Sequence, residues 1–543
     1  MTPEIVRDLC QRTGSTAYLG GEIANVGSQY AITLNLVNCH TGESLAHEQA
    51  TASGKDQVLK ALNEAATELR TKAGESLASV QKFDAPIEQA TTSSLEALKA
   101  YSLGMRVRAD KGNLEAIPFF KQAIEKDPDF ASAYASLGSC YANSGEDELG
   151  TQLEGKAYEL RDRASERERL RISNLFFFNE GAMQKALDAA KLWVEEYPRD
   201  KLAHIDLGLT YTRLGEDDSA ITEYQEAIRL DPEAGDQYPS LMYSYVHLNR
   251  LGEAKAAYQQ AVARNLDNPD LHYARYYVAY LEDDAAEMAR QSSWAAGKPG
   301  QEDFSALAML TEEAHGHLDK ARQLSQRTVD AVLQSDRKEA AAGFQLLLAG
   351  AELEFGNLER ARRSAMDVLA GKASPSSEMS AAFILARAGD SARALAIAAD
   401  LEKRFPSDTS LRIRSYQVPL IRAAVELSHK KPAGVIQLLP ARAPFELRPD
   451  GGVEAVYMRG LAYLELHQGE NAAVEFRKLL DHPGLAGLSP DYALSHLQLG
   501  RAYAMQDEIA KARKEYQDFL TLWKDADPDI PIVKQAKAEY AKL

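Results

Sequence analysis

The sequence has few of the features that define disulfide-built, membrane-spanning or nucleic-acid-binding proteins. It contains only three cysteines in 543 residues, which excludes a fold built on disulfide bonds but not a single bridge. Its most apolar stretch, Ala340 to Ala351, is interrupted by Gln345 and is too short to cross a bilayer. The 62 Lys and Arg residues are outnumbered by 80 Asp and Glu residues, which argues against nucleic acid as a partner.

Motifs for catalysis and for metal binding are also missing. His315 and His317 lie two residues apart, but no Cys, His or carboxylate cluster with ligand spacing accompanies them. No nucleophile with a neighbouring base stands out in the first part of the chain, which argues against a hydrolase there. The sequence therefore predicts no catalytic residue, no cofactor, no metal site and no enzyme activity.

One segment reads as a complete repeat unit, from Leu202 to Pro232. Its ordered positions are Leu207-Gly208, Tyr211, Ala220, Tyr224, Ala227 and Asp231-Pro232. This spacing is typical of the tetratricopeptide repeat (TPR), a helix-turn-helix unit with a period of about 34 residues. Small residues at such positions let two helices approach closely, and bulky ones fill the gap between them.

Extending this register in both directions predicts an array over residues 95–525. About twelve units fit this length at the repeat period, with an irregular middle over residues 270–375. Residues 526–543 carry Ile532, Val533, Ala536 and Tyr540, a pattern that predicts an amphipathic helix capping the last repeat. The fold class is therefore mainly α, a TPR helical solenoid.

The first 75 residues form a different, small α/β domain. Apolar and polar residues alternate with a period of two, which predicts strands at Thr16 to Ile23, Gln29 to Asn38 and Ser44 to Ala50. Turn signals between them indicate a three-stranded antiparallel sheet. Helices are predicted at Pro3 to Arg12 and Asp56 to Lys72. So small a sheet predicts a truncated domain, which a polar linker over residues 76–94 joins to the array.

Several short sequence runs resemble those of a known protein family, and the similarity extends over the whole chain. They are Cys10-Gln11-Arg12-Thr13-Gly14, Gly27-Ser28-Gln29-Tyr30, Asn38-Cys39-His40-Thr41-Gly42, Gly74-Glu75-Ser76-Leu77 and Ser94-Leu95-Glu96-Ala97-Leu98-Lys99-Ala100-Tyr101. With these runs the sequence resembles the C-terminal TPR-array region of bacterial transmembrane serine/threonine protein kinases. The sequence lacks the glycine-rich phosphate loop, the His-Arg-Asp run and the Asp-Phe-Gly of a kinase domain. No catalytic residue of that family can therefore be carried over.

Three functions follow as alternatives. The first is a non-catalytic interaction scaffold or sensor region that binds a protein or peptide. The second, implied by the resemblance, is a detached or mis-started C-terminal part of a kinase with a role in signal transduction. The third is the ligand-binding region of a TPR-type transcriptional regulator. The chain as given shows no export signal, which predicts a cytoplasmic location, whereas the kinase layout implies an extracytoplasmic one.

Candidate partner contacts follow from the register, because the first helix of each TPR unit lines the concave surface. The outward-facing positions hold Tyr101, Met105, Arg108, Asn143, Phe178, Arg213, Tyr243, His247, Tyr457 and Arg501. This aromatic and cationic set favours an extended peptide or a helix with apolar and acidic groups. The alternative for each tyrosine is packing against a neighbouring repeat.

Two cysteines, Cys10 and Cys39, form a candidate disulfide pair. One lies near the end of the first helix and the other at the end of a strand, so their side chains meet if the helix packs across that strand end. The alternative is that both are small buried apolar residues with free thiols.

Overall fold

The structure, a computed structural model, describes residues 3–12, 16–75, 91–233, 235–298, 300–371, 373–405, 413–441, 446–448 and 452–543. Within these residues it contains 28 α-helices and one small sheet. The predicted fold class, a TPR-like helical solenoid preceded by a three-stranded antiparallel sheet, is confirmed. None of the helices in these residues is both long enough and apolar enough to span a membrane.

The N-terminal domain is built from two helices and three strands. In chain order they are α1 (Pro3–Arg12), β1 (Ala17–Val26), β2 (Gln29–Asn38), β3 (Ser44–Ala52) and α2 (Val58–Lys72). The strands pair in the order β1-β2-β3, and every pairing is antiparallel. Alternate residues of β2 pack against α2 and form the core of this domain, which follows from the period of two in the sequence.

The first strand is longer than predicted because the turn after it is tighter. The predicted strand ends at Ile23, whereas β1 continues to Val26, which pairs directly with Gln29. Only Gly27 and Ser28 are left to connect the two strands. Gly27 has a φ of 67°, a conformation that glycine adopts without steric cost, so a two-residue hairpin turn is possible here.

The structure joins Cys10 and Cys39 in a disulfide bond whose Cα atoms are 5.8 Å apart. Both side chains are buried, and Arg7 Nε of α1 donates a hydrogen bond of 3.0 Å to the Cys39 carbonyl oxygen. The helix thus lies across the end of β2, where the sequence analysis placed it. The oxidised state of this pair in solution stays a prediction. Cys140 is a buried free thiol.

The small domain contacts the first helix of the array. Leu95 packs against the cluster that contains Ile32 and Val58, and Lys55 forms an ion pair with Glu96. Of the predicted linker over residues 76–94, residues 76–90 lie outside the described residues. The remaining part ends in a helix cap, because Ser94 Oγ accepts a hydrogen bond from the Ala97 amide.

The array consists of helix pairs joined by short turns. Its helices are α3 (Leu95–Lys111), α4 (Asn113–Lys126), α5 (Ala131–Ala142), α6 (Asp147–Glu159), α7 (Glu166–Asn179), α8 (Met183–Glu196), α9 (Lys201–Leu214), α10 (Asp217–Leu230), α11 (Gln237–His247), α12 (Leu251–Ala263), α13 (Pro269–Leu281), α14 (Ala285–Ala295), α15 (Gln301–Ala314), α16 (Leu318–Gln334), α17 (Lys338–Glu354), α18 (Leu358–Ala370), α19 (Pro375–Arg387), α20 (Ser391–Arg404), α21 (Val418–Ser428), α22 (Pro432–Leu438), α23 (Glu454–Glu465), α24 (Gly469–Leu480), α25 (Pro483–Ala486), α26 (Pro490–Ala504), α27 (Ile509–Leu522) and α28 (Pro531–Tyr540). In the described residues, α3 to α24 form consecutive pairs, α26 and α27 form a further pair, and α28 covers its end.

A glycine opposite an aromatic ring sets the close approach of the helices in several pairs. A Cβ atom on Gly208 would lie 2.6 Å from Tyr224 Cε1, a separation that only glycine permits. The same arrangement recurs at Gly104 with Phe120, Gly460 with Phe476, and Gly500 with Tyr516. These pairs are the structural reason for the strongest parts of the sequence register.

The middle of the array is helical although its register is weak. Residues 269–370 form three pairs, α13 with α14, α15 with α16, and α17 with α18. In the first of these pairs the position equivalent to Gly208 holds Tyr276, and the rings of His272 and Trp294 stack at a centroid distance of 3.7 Å. Helices α16 and α17 have 17 residues each, longer than the 14-residue helices α9 and α10 of the most regular unit. Different packing residues thus explain why the pattern fades.

Units far apart in the sequence also touch each other. Arg337 Nε donates a hydrogen bond of 2.9 Å to the Ser144 carbonyl oxygen, which joins the turn before α17 to the turn after α5. Trp523 Nε1 donates one of 2.8 Å to the Ala314 carbonyl oxygen at the end of α15. The superhelix therefore folds back on itself, so that units about 200 residues apart in the chain touch.

One buried carboxyl group makes the stability of this array pH-dependent. Glu313 on α15 is 1% exposed, and its Oε1 has no hydrogen-bond partner in the described residues. Burial raises the pKa of Glu313 to about 8 from 4.5, and the negative charge of Glu352 adds to the shift. The folded state thus keeps a proton that the unfolded chain releases above pH 4.5. The contribution of Glu313 to stability therefore falls as the pH rises from 4.5 to about 8.

We expect Glu313→Gln to stabilise the protein at pH 8.5 and to have little effect at pH 5. One unit of pKa corresponds to about 1.4 kcal/mol, so the gain at pH 8.5 should be at least of this size. Thermal unfolding at both pH values would measure it, with Glu359→Gln as the control because the Glu359 side chain is 74% exposed. Equal effects of Glu313→Gln at the two pH values would contradict a raised pKa of Glu313 in the folded state.

Candidate partner-binding groove

A groove of about 760 Å³ lies on the inner surface of the C-terminal units. Its walls come from the first helices of four consecutive pairs, α19, α21, α23 and α26, together with α27 and the terminal helix α28. Successive first helices form a concave surface in a TPR solenoid, because each pair is rotated slightly relative to the one before. The groove is therefore in the position where this architecture presents a ligand-binding surface.

The floor of the groove is apolar. It is formed by Leu427, Leu461, Leu464, Ala504 and Met505. Leu427 and Leu464 are 7% and 8% exposed, so they also belong to the cores of their units, whereas Met505 is 44% exposed. An apolar side chain of a partner would bury Met505 and remove its surface from water.

One wall carries a charged network centred on Arg501, one of the predicted contacts. Arg501 donates two hydrogen bonds to Glu539 of α28, from Nε at 2.8 Å and from Nη2 at 3.0 Å. The Tyr516 hydroxyl donates a third bond of 2.7 Å to Glu539 Oε2. Burial opposes the ionisation of Glu539, but the bonds from Arg501 and Tyr516 outweigh it and hold its pKa below the usual range.

The opposite side holds two further ion pairs. Arg387 Nη1 lies 2.9 Å from Glu354 Oε1, and both side chains are 13% exposed. Lys430 Nζ lies 2.8 Å from Glu465 Oε1, with the lysine 80% exposed. The walls therefore present both signs of charge above an apolar floor. A partner that supplies its own carboxylate could exchange with Glu465 at the exposed lysine at little cost.

Tyr457, also a predicted contact, lies beneath the groove instead of lining it. Its side chain is only 2% exposed, and its ring packs at an angle of 69° to Phe476, with the ring centroids 5.8 Å apart. Gln498 of α26 donates a hydrogen bond of 3.2 Å to its hydroxyl. Burial raises the pKa of Tyr457 well above its ordinary value. The prediction that Tyr457 is outward-facing needs this correction, because α26 covers the face on which it lies.

Three predicted contacts, Tyr101, Met105 and Arg108, share helix α3 at the other end of the array. Tyr101 packs against aromatic rings of its own unit and the next, and Ser136 donates a hydrogen bond of 3.4 Å to its hydroxyl. Burial lowers the pKa of Arg108, whose Nε donates a hydrogen bond of 3.0 Å to Asn113. All three are half-buried, and the structure does not bring them to the C-terminal groove.

Four of the other predicted contacts lie between these two ends. The Arg213 guanidinium lies 4.2 Å from the ring centroid of Phe178, so these two residues do meet. His247 Nδ1 lies 3.0 Å from Asp217 Oδ1. Tyr243 is half-buried, and burial raises its pKa well above the ordinary value.

The remaining predicted contact, Asn143, is exposed at the C-terminal end of α5, at the turn that follows the helix. The ten predicted residues thus fall into several groups, and of these Arg501 alone lines the groove.

The sequence analysis missed the contribution of α28. Gln535 and Glu539 line the groove, although the segment was interpreted only as a cap. Their spacing of four residues on one helix face is the signal that could have indicated a second role. Met505, just after α26, was also absent from the predicted contacts.

One set of side chains in the described residues has the geometry of a metal site. Ligand atoms of His496, Glu515 and Asp518 lie within 4.8 Å of one another. His496 Nδ1, however, already lies 2.7 Å from Glu515 Oε2. The equivalent bond, between His204 and Glu223 at 2.6 Å, occurs in another unit with the same spacing along the chain. We therefore interpret the pair as a packing hydrogen bond between the two helices of a unit.

Comparison with known proteins identifies the family to which the repeats belong. Tetratricopeptide-repeat family profiles match residues 202–234 and 457–529. Superkiller protein 3 of Schizosaccharomyces pombe is 25% identical over 198 residues, which is 35% of this chain and 14% of the length of that protein.

Among solved structures, PilW, a type IV pilus biogenesis factor, matches with 12% identity and a TM-score of 0.29, over 37% of this chain and 93% of PilW. PilF of Pseudomonas aeruginosa matches with 16% identity and a TM-score of 0.26, over 39% of this chain and 97% of PilF. The family matches therefore identify tetratricopeptide repeats in two parts of this helical array, and the second covers three of the helices that form the groove, α23, α26 and α27.

Proposed function

We propose that the protein is a non-catalytic interaction scaffold that binds a protein or peptide segment in the groove formed by α19, α21, α23, α26, α27 and α28. The observation that carries the proposal is the combination of an apolar floor with walls of both charges on successive first helices. TPR repeats support protein-protein interaction in general, because their concave face presents side chains from several units to one extended ligand.

The chemistry of the groove favours an amphipathic segment. An apolar side chain of the partner would lie on Leu461 and Met505, and an acidic group would reach Lys430, the most exposed cation of the walls. Apolar contact supplies most of the affinity of such an interface, whereas exposed charges mainly set orientation and association rate.

The test uses Met505 and a matched residue on the outer surface. Peptides would be selected from a display library on the full chain, and their affinity measured by isothermal titration calorimetry. We expect Met505→Lys to weaken binding at least tenfold, because a charge would replace the apolar contact. Val474→Lys is the control, since Val474 is 45% exposed, lies on the second helix α24 and is outside the groove.

Two outcomes would count against the groove. Selected peptides that bind both variants as tightly as the unchanged chain would place the site elsewhere. A library that yields no binder at all would remove the support for peptide recognition.

The relation to transmembrane kinases stays a prediction, as do signal transduction, the regulator alternative and the compartment. The edge strand β1 is consistent with a larger domain, because Leu19, Ile23 and Val26 are all more than half exposed. Reading the gene upstream of Met1 for an in-frame kinase and membrane segment would decide the kinase relation.

A further inference from the structure

The connection from α24 to α26 contacts the first helices of two distant units. It contains the four-residue helix α25 and lies on α11 and α13, more than 200 residues earlier in the chain. We refer to residues 482–488 as the inserted segment. It belongs to neither helix of a pair, so the repeat architecture does not require it.

The contact with α13 is made through main-chain atoms of the inserted segment. The Tyr277 hydroxyl donates a hydrogen bond of 3.0 Å to the carbonyl oxygen of Gly484. The Tyr280 hydroxyl donates one of 2.6 Å to the carbonyl oxygen of Gly487. Tyr277 and Tyr280 lie three residues apart on a first helix, and their rings stack with centroids 6.3 Å apart. Two parallel donors thus contact carbonyl groups three residues apart.

The fit depends on glycine in the inserted segment. Gly484 is buried, and a Cβ atom there would overlap the carbonyl oxygen of Val246 on α11. A Cβ atom on Gly487 would lie 2.9 Å from Leu281 Cδ2. The main chain therefore lies directly against α11 and α13. A side chain at Gly484 would prevent this approach to α11. A Cβ atom on Gly487 would lie 2.6 Å from the Pro483 carbonyl oxygen, so glycine there maintains the turn of the segment itself.

Both tyrosines remain proton donors under ordinary conditions. Burial raises the pKa of Tyr277 and of Tyr280 above the usual value of a phenol, so neither ionises near neutral pH. Each hydroxyl finds its acceptor in the inserted segment, and a buried hydroxyl without an acceptor is unfavourable. If the segment left, water or another chain that offers carbonyl oxygens would accept these hydrogen bonds.

We propose that Tyr277 and Tyr280 form a second peptide-binding site, specific for a Pro-Gly-x-x-Gly turn, and that residues 482–488 occupy it as an intramolecular ligand. The site recognises backbone carbonyls and two glycines. A partner of the same chemistry would compete with the inserted segment. Because the segment is tethered, its effective concentration is of the order of millimolar, which keeps weaker peptides out.

The test displaces the inserted segment in the full chain and offers it back as a probe. The probe is a fluorescein-labelled peptide of residues 480–490, and its binding is measured by fluorescence anisotropy. Gly484→Val should expel the inserted segment, because the added side chain meets the α11 backbone. We expect this variant to bind the probe at least tenfold more tightly than the unchanged chain does.

Three further variants separate recognition of the probe from a general loosening of the structure. Gly252→Val, on α12, is the matched control, since a Cβ atom there meets nothing within 4 Å, and it should leave the probe excluded. Adding Tyr277→Phe and Tyr280→Phe to Gly484→Val should weaken probe binding at least tenfold, because both donors are lost. Met505→Lys in the Gly484→Val background should leave probe binding unchanged. A negative result for this second site would then be distinguishable from a failure of the groove.

The result that would overturn the proposal is a Gly484→Val chain with the circular dichroism of the unchanged protein that does not bind the probe. If the unchanged chain bound the probe as tightly as the Gly484→Val chain does, the proposal would be overturned as well. If Gly484→Val does not fold, hydrogen exchange is measured instead on the double variant Tyr277→Phe, Tyr280→Phe. We then expect amides of residues 482–488 to exchange at least tenfold faster with α26 unaffected, and unchanged exchange would refute the site.

Discussion

Replacing Arg459 by alanine is expected to lower the free energy of unfolding of the C-terminal units by about 3–5 kcal/mol. Arg459 on α23 is fully buried, and its Nη2 lies 2.7 Å from a carboxylate oxygen of Glu446 and 2.7 Å from one of Glu475. The side chains of both glutamates are less than 10% exposed. Removing the cation would leave two buried negative charges close together. Lys478, whose Nζ lies 2.9 Å from Glu475 Oε1 and 3.6 Å from Glu446 Oε1, would compensate them only from the rim of the cluster, where its side chain is 29% exposed.

Hydrogen exchange of the α23 and α24 amides would measure this loss, because a long solenoid need not unfold in a single step. The control is Arg229→Ala, which breaks an arginine-glutamate pair whose arginine is 67% exposed, and which should cost less than about 1 kcal/mol. Combining Arg459→Met with Glu475→Leu should recover part of the stability. A loss below about 1 kcal/mol for Arg459→Ala would mean that the carboxylates are not desolvated.

Replacing Trp523 by alanine should cost a similar amount, about 3–5 kcal/mol, for a different reason. The indole ring is 1% exposed and packs nearly perpendicular to Phe355, with centroids 4.8 Å apart. Its Nε1 donates the hydrogen bond to Ala314 described above. The substitution removes a large apolar contact and leaves a cavity between the end of α27 and the middle of the array.

Loss of this contact should also make the molecule less compact. Small-angle X-ray scattering would report an increased radius of gyration for Trp523→Ala, and thermal unfolding would report the destabilisation. Trp523→Phe should retain most of the packing and lose the hydrogen bond, at a cost of about 1–2 kcal/mol. Leu522→Ala is the neighbouring control, since Leu522 is 39% exposed. An unchanged radius together with a loss below about 1 kcal/mol would contradict this role of Trp523.

The sequence predicted the parts of the fold that depend on local periodicity. Gly208 and Tyr224 revealed a helix pair because each such pair needs a small residue facing a ring. The alternation at Ile32 and Leu34 revealed a strand because one face of the sheet is buried. The middle units were weakly predicted because the usual residues are absent from the key positions, as at Tyr276, which stands where Gly208 stands in the regular unit.

The candidate site was predicted less well, since it depends on contacts between units. Arg501 was found because it lies on a first helix, and Glu539 was missed because its role arises only when α28 packs beside α26. Tyr457 was assigned to the surface because its register position is outward-facing in a regular repeat. The neighbouring helix α26 covers it, and a single repeat carries no information on that packing.

The contacts that join distant turns, such as Arg337 with Ser144 and Trp523 with Ala314, have a consequence for folding cooperativity. In an open solenoid, energy is shared only between adjacent repeats, so the ends unfold independently. Here each long-range contact couples a unit to another about 200 residues away. The array should therefore melt in larger blocks than its repeat length suggests. It should also fold slowly for a helical protein, because these closures must bridge long loops of chain.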